Sequence, residues 1–548
     1  MAQTLYFGNK STTIPGVYTE FISGINNQPV QASFGNILII DTGTGAGFTG
    51  GAGISGTLES NINSIQEFDS LNQYTDAIRG SELFILGEAL FQPQGAGNAP
   101  GVPKVYFAKA ASTAPATISY TFTGGGANGG VFTVQVRDEG TVGNGVEVSS
   151  VLTRGYAGVM RAGTIDTAKF AIDFFRGTFK GLDGDSEPWD FVAEANTQPE
   201  LLVSSVEFDN ISDLINWANN DSTFQRYFNV SVGTITGTGA VDAADLAANT
   251  GNTLASGGSE SYSTTELDNV LDNIADLDYT FVLALDNAND ATSTDNSKIL
   301  THLTDEARFR KFMIVGGADD DTLTGTNSSS AAAAFYDSPR VTVVHSGVKL
   351  VRRGSSGFKT RSSLYKASLV LGKLAGQAPQ VPLTFKSLKM DRDVHELNKT
   401  EKETALANGV LATVFDADFQ GYIVLQGINS KQSNTFTIDD DATSFEISIE
   451  SIKAQISKEL EINGKVLLLG QSNGVNRNTL ADVDVKQFTE SYLTSREATT
   501  NEDDLITKSG NVTVETIGDT YAVSYSFVPS FPLNKILFRG VILDEINL

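Results

Sequence analysis

Several glycine, histidine and aspartate groups in this chain have residue types that could carry chemistry. Gly45-x-Gly47-x-x-Gly50 follows the apolar run Asn36–Asp41. A dinucleotide-binding turn begins in this way, with the pyrophosphate resting on the N-terminus of the next helix. Here Gly51-Ala52-Gly53-Ile54-Ser55-Gly56 follows, a poor helix former, so the stretch reads as a flexible loop. Gly354-Ser355-Ser356-Gly357-Phe358-Lys359-Thr360 resembles a phosphate loop in composition, but the spacing before its lysine is wrong. No Gly-x-Ser-x-Gly elbow occurs. His302, His345 and His395 are far apart, and no pair has the helix or hairpin spacing of a metal site. They read as scattered structural or surface histidines, although a triad assembled by the fold stays open. Asp319-Asp320-Asp321 and Asp439-Asp440-Asp441 lack the glycine-punctuated calcium-loop pattern. They read as solvated turns, with weak cation binding at a subunit boundary as the other option. No catalytic residue, metal or cofactor is therefore expected.

Composition narrows the classes further. A chain of 548 residues is too long for one core, and 40% hydrophobic with 19% charged residues is ordinary globular content. Cysteine is absent, which excludes disulfides and thiolate metal sites and fits a reducing cytoplasm. No apolar run is long enough to span a membrane, and no signal peptide is visible. With 38 basic and 65 acidic residues the net charge is -27, which argues against general nucleic-acid affinity. The charge serves solubility. It can also hold subunits apart until salt or divalent ions screen it.

The elements that would position any site alternate between strand and helix. Asn36–Asp41 is a continuous apolar run, expected as a strand buried on both faces. Leu71 to Phe91 has the spacing of one or two amphipathic helices, and Val105–Ala110 of a strand. From about 116 to 255 the chain is strand-rich, with alternation in Val131–Arg137, a helix expected over Ile211–Phe228 and an exposed loop over Gly233–Ser263. Strands over Tyr279–Leu285 and Phe312–Gly317, with helices from Thr264 and over Ser297–Phe309, imply a parallel sheet covered by helices. Ser362–Gly376 and a segment opened by Thr400 read as helices, and Gly421–Ile428 as a strand. Phe445–Leu460 begins as a strand and continues as a helix. Leu480–Thr494 is a further helix, and strands are expected over Asn511–Ile517, Thr520–Val528 and Leu533–Ile542.

Near the N-terminus stands Thr13-Ile14-Pro15-Gly16-Val17-Tyr18-Thr19-Glu20. Pro15 and Gly16 set a turn, and Val17, Tyr18 and Thr19 favour an extended strand. Such a terminal strand can fray, or it can complete a neighbour's sheet.

The P-G-V-Y-x-E motif resembles the start of the contractile tail sheath proteins, the outer sleeve of myovirus tails and related injection machines. Further landmarks follow in order. Ser64-Ile65-Gln66-Glu67-Phe68 resembles the family's S-x-x-E-F element, and a longer loop, Pro93–Gly101, stands where the family often has Asn-Gly-Gly. Gly140–Gly145 resembles its G-T-W-G-N-G turn with Val142 in place of Trp, and Leu254–Ser259 resembles its L-x-G-G junction. Leu397, Thr400, Glu403, Ala407, Gly409 and Val410 match its L-t-x-x-E-x-x-x-L-x-x-x-G-V element, and Gly421–Ile428 the strand after it. Pro529, Pro532 and the run Leu533–Ile542 match its closing strand.

The resemblance implies a multidomain α/β and α+β fold. Its parts would be an N-terminal extended arm (1–30), the first part of the sheath core (31–115), an inserted β-rich outer domain (116–255), an α/β sheath domain (256–435), an inner-face α+β module (436–528) and a C-terminal arm (529–548). It implies a non-enzymatic homo-oligomer of stacked six-membered rings forming a helical sleeve. Its partners would be a tail tube protein with baseplate and tail terminator proteins, and neither nucleic acid nor a membrane would be bound directly. Its location would be the virion tail, after assembly in the host cytoplasm. The inter-subunit arm residues would be Ile14, Pro15, Gly16, Val17, Tyr18, Thr19 and Glu20 at one end, and Lys535, Ile536, Leu537, Phe538 and Val541 at the other. Two alternatives stand beside this reading: the sheath of a phage-derived injection or secretion system, and a soluble α/β hydrolase or transferase.

Overall fold

The computed structural model describes residues 5–7, 10–12, 34–41, 65–77, 82–94, 101–109, 115–122, 130–139, 146–148, 151–154, 156–164, 169–176, 200–230, 252–253, 264–284, 294–304, 311–318, 322–326, 328–351, 358–431, 445–469, 481–497, 505–517 and 520–530. The chain divides into two compact units. One comprises Ser33–Gln455, Ala498–Thr507 and Pro529–Leu548, and the other Met1–Ala32, Ile456–Glu497 and Lys508–Val528.

The larger unit is built on a seven-stranded sheet in the order Val410–Leu411, Val341–Val344, Phe312–Gly316, Phe281–Ala284, Ile37–Asp41, Val105–Lys109, Ile65–Phe68. All neighbours are parallel except the edge strand Ile65–Phe68, which runs antiparallel to Val105–Lys109. The central strands are mostly apolar because each feeds two cores. Ile37, Ile39, Val105, Phe107, Phe281, Leu283, Phe312 and Ile314 face one core, with the helices Glu82–Phe91 and Ser363–Ala375. Leu38, Ile40, Tyr106, Ala108, Val282, Ala284, Met313 and Val315 face the other, with Thr264–Asn273, Thr294–Thr304 and Ser329–Tyr336. Period-two alternation with apolar residues on both faces is the signature of a sheet covered on both sides. Gly372 lets the two helices of the first core approach, since a Cβ there would lie 2.5 Å from the Leu90 carbonyl oxygen.

An insert between Val105–Lys109 and Thr264–Asn273 carries its own aromatic core. Its sheets, in strand order, are Phe228–Val230, Gly130–Glu139, Pro115–Phe122; Glu200–Ser204, Phe170–Arg176, Tyr156–Ala162, Asn252–Thr253; and the pair Val146–Val148, Val151–Arg154. Tyr120, Phe132, Tyr156, Phe170, Phe174, Phe224 and Phe228 are buried together. The expected alternation in 131–137 is present: Phe132, Val134 and Val136 are buried and Thr133 and Gln135 are not.

Some elements differ from expectation. The helix expected over Ile211–Phe228 is two helices, Ile211–Ala218 and Ser222–Tyr227, and Phe228 opens a strand. The Asp221 side chain accepts a hydrogen bond from the Phe224 N–H at 2.7 Å and so starts a new helix. Within the loop expected over Gly233–Ser263, Asn252 and Thr253 pair with Gly158 and Ala157, and the rest lies outside the described residues. The helix assigned to Thr400 begins at Lys399, because Asn398 and Glu401 form a reciprocal capping box. Phe445–Leu460 contains no opening strand. Glu446 makes an isolated bridge to Ile428, and the helix runs Ile447–Asn463. In the expected arm, Leu5–Phe7 pairs with Lys10–Thr12 as a short antiparallel hairpin. No helix among the described residues is long and apolar enough to cross a membrane.

Candidate functional site

The arm residues named from the sequence, Ile14 to Glu20 and Lys535 to Val541, lie outside the described residues. So do Gly45, Gly47 and Gly50, both acidic triplets and residues 354–357. Lys359 and Thr360 sit in the strand Phe358–Arg361, paired with Leu350 and Lys349, so they belong to a hairpin and not to a phosphate-binding turn.

Two regions of the described structure carry geometry relevant to function. The first is the C-terminal hairpin. Ile506–Ile517 and Thr520–Pro529 form a two-stranded sheet with no third strand among the described residues. Its strands are 12 and 10 residues long, and Ile517 and Val528 are exposed at 57% and 44%. A two-stranded sheet is marginal alone. In the same unit, Tyr492 Oη donates to Glu459 Oε2 at 2.7 Å and the Arg496 guanidinium lies 2.7 Å from the same oxygen. These contacts bind the helix Asp482–Ser495 to Ile447–Asn463. Burial, with Glu459 beside it, pushes the Tyr492 phenol up. Glu497, just beyond that helix, accepts from the Ser509 N–H at 2.6 Å and so ties the helix to the hairpin. Ser509 also holds the Glu497 carboxyl below its ordinary range.

The second region lies where the parallel strands Phe312–Gly316, Val341–Val344 and Val410–Leu411 end. Open α/β sheets place their ligand sites at such ends. Here buried side chains fill the position and bond one another. Lys366, on a helix buried along its whole length, pairs with Asp393 and donates to the His345 carbonyl at 2.8 Å and to Ser346 Oγ and Thr413 Oγ1 at 3.1 Å each. Burial pulls the Lys366 ammonium below its ordinary value, and Asp393 opposes that shift. Ser346 adopts φ 55, a left-handed conformation rare for a residue with a side chain, and this network holds it there.

The histidines are not all scattered. His302 bonds Tyr279 Oη at 3.0 Å, but His345 and His395, 50 residues apart, meet with Nε2 and Nδ1 3.2 Å apart. His345 Nδ1 also meets Ser329 Oγ at 2.8 Å. The sequence carries no signal for this meeting, which the ends of separate strands and turns produce. No group of three or more His, Asp or Glu side chains among the described residues could hold a metal ion.

No protein-family model matches the sequence, and no curated protein matches it significantly. Solved structures do. The sheath tail protein of Desulfitobacterium hafniense aligns over 94% of this chain and 100% of its own, at 14% identity and a TM-score of 0.57. The sheath tail protein Lin1278 of Listeria innocua aligns over 91% of this chain and 92% of its own, at 14% identity and a TM-score of 0.53. At such identity the likeness is one of fold, and it extends over nearly the whole of each chain. The ordered motifs and the architecture thus converge: this chain has the fold of the sheath tail proteins.

Proposed function

We propose that this protein is the structural subunit of a contractile phage tail sheath. Copies stack as six-membered rings around a tail tube, between a baseplate and a tail terminator, and shortening of the sleeve drives the tube through the host envelope for genome delivery. The observation that carries this reading is the near full-length match of fold to two sheath tail proteins. The two-stranded C-terminal sheet supports the mode of assembly, because a sheet of two strands among the described residues is suited to extension by strands donated by neighbouring copies. The donated strands are the segments around Val17 and Tyr18 and around Ile536 and Phe538. Each added main-chain hydrogen bond contributes about 0.5–1.5 kcal/mol net, and each buried large apolar side chain about 1.5–3 kcal/mol. Such links persist while the rigid domains turn against one another, so the extended sleeve is a metastable state and contraction needs no nucleotide. Assembly takes place in the host cytoplasm and the product belongs to the virion.

The charge of -27 sets an electrostatic barrier to early polymerisation. Raising salt or adding divalent cations to purified subunit is expected to speed tube formation, followed by light scattering and negative-stain microscopy. A failure to form tubes at any ionic strength would contradict the function. Tubes that form at one rate throughout the series would remove only the electrostatic barrier.

A further inference from the structure

A chain of four polar groups runs from the interior of the larger unit to its surface. Ser329 opens the helix Ser329–Tyr336, His345 follows the strand Val341–Val344, His395 follows Arg392–Asp393, and Glu401 lies in the first turn of Lys399–Ala407. Ser329 Oγ and His345 Nδ1 are 2.8 Å apart, His345 Nε2 and His395 Nδ1 3.2 Å, and His395 Nε2 and Glu401 Oε1 3.5 Å. Ser329 and His345 are 0% and 1% exposed, whereas the His395 and Glu401 side chains reach 17% and 33%. Of these four groups, the outer two are the ones that reach water.

The hydrogens along this chain have one consistent direction when both imidazoles are neutral. Ser329 Oγ already accepts the Ala318 N–H at 3.0 Å, so its own hydrogen is free to donate to His345 Nδ1. His345 then carries its hydrogen on Nε2 and donates to His395 Nδ1. His395 carries its hydrogen on Nε2 and points it at Glu401. Every ring nitrogen then has a complementary polar atom within 3.5 Å. An added proton at His395 Nδ1 would face the hydrogen on His345 Nε2, and the two cannot coexist at 3.2 Å. The conflict ends only if His345 changes tautomer, moving its hydrogen to Nδ1 and accepting from His395 on Nε2. His345 then donates to Ser329 Oγ, and the Ser329 hydroxyl hydrogen must turn elsewhere.

We propose that His345 and His395 form a pH-responsive relay, in which one proton taken up at the outer histidine reverses the hydrogen bonds as far as the buried Ser329. The atoms balance: one proton is gained from water, His395 becomes an imidazolium, and His345 stays neutral in its other tautomer. Charged groups face the pair from the neighbouring elements. Glu401, from its helix, faces His395 Nε2. Lys366, from the helix Ser363–Ala375, is bonded to the His345 carbonyl and paired with Asp393. Glu396, beside His395 in sequence, is occupied by Arg392 and Tyr422. The inner ring thus reports a step that occurs at the outer one. The inner consequence falls on the start of the helix Ser329–Tyr336, whose first side chain loses its acceptor.

The chain has only three histidines, so selective nitrogen-15 labelling of histidine in the full-length protein gives three imidazoles. Between pH 8 and pH 5, His345 is expected to move Nδ1 from the acceptor to the donor range with the same midpoint as protonation of His395. In His395→Gln, whose side-chain oxygen can still accept from His345 Nε2–H, His345 is expected to keep its neutral Nε2–H form across this range. Circular dichroism and the unchanged His302 resonance would show that the variant is folded. A His345 tautomer that stays constant in the wild-type protein, or one that changes equally in His395→Gln, would overturn the relay.

Discussion

Replacing Asp393 by Ala is expected to destabilise the sheet-based unit by about 3–5 kcal/mol, because it leaves the Lys366 ammonium buried without its counter-charge. The effect should exceed that of any exposed ion pair in the chain, such as Lys399 with Glu403 at 3.9 Å, which contributes no more than about 1 kcal/mol. Lys366 holds together three pieces of chain: the turn after Val341–Val344, the strand Arg392–Asp393, and Thr413 at the start of the strand Thr413–Asp416. Asp393 also accepts from Thr413, so its loss leaves a buried hydroxyl without that acceptor. The measurement is the denaturant midpoint of the larger unit, followed with probes specific to it, since a chain of two units does not unfold in one step. The double change Lys366→Met with Asp393→Leu should recover most of the loss, because removing both charges also removes their desolvation cost. A single-variant loss below 1 kcal/mol would show that water reaches the pair and that it is not a buried lock.

Deleting residues 1–24 is expected to abolish tube formation and leave a folded, soluble monomer. The only structure described in that segment is the hairpin Leu5–Phe7 with Lys10–Thr12, and it pairs with itself. Its removal therefore breaks no strand pairing elsewhere among the described residues. The Pro15-Gly16-Val17-Tyr18 segment goes with it, and under the proposed assembly this removes a donated strand from every contact between neighbours at once. The loss is then all-or-none by electron microscopy, whereas a surface substitution would only shift the concentration at which tubes appear. Tubes of normal diameter from the shortened chain would remove the N-terminal arm from the account.

Much of the larger unit was legible in the sequence because its strands are buried on both faces. Such strands read as unbroken apolar runs, as in Ile37–Asp41 and Phe312–Gly316. The helix expected over Ser362–Gly376 was found at Ser363–Ala375, with Ser362 and Gly376 as its caps. What was not legible is the joining of Ile37–Asp41 to Phe281–Ala284 in one sheet, since the whole insert lies between them and neither run names its neighbour. Lys366 misleads in another way. A lysine in a helix is ordinarily read as facing water, and here the entire helix is buried and the charge is met by a carboxylate 27 residues away. The meeting of His345 and His395 was not legible either: His345 follows the apolar strand Val341–Val344 but has no periodicity of its own, and His395 follows the two charged residues Arg392–Asp393, which carry no apolar pattern. The arm residues rest on motif resemblance alone, because none of Ile14 to Glu20 or Lys535 to Val541 lies among the described residues.

The most direct test is cryo-electron microscopy of the purified full-length protein after self-assembly. The expected density is a hollow six-fold tube in which the hairpin Ile506–Ile517 with Thr520–Pro529 gains strands from the termini of neighbouring copies. Subunits whose two termini both pair within their own chain, with no strand shared between copies, would contradict the account.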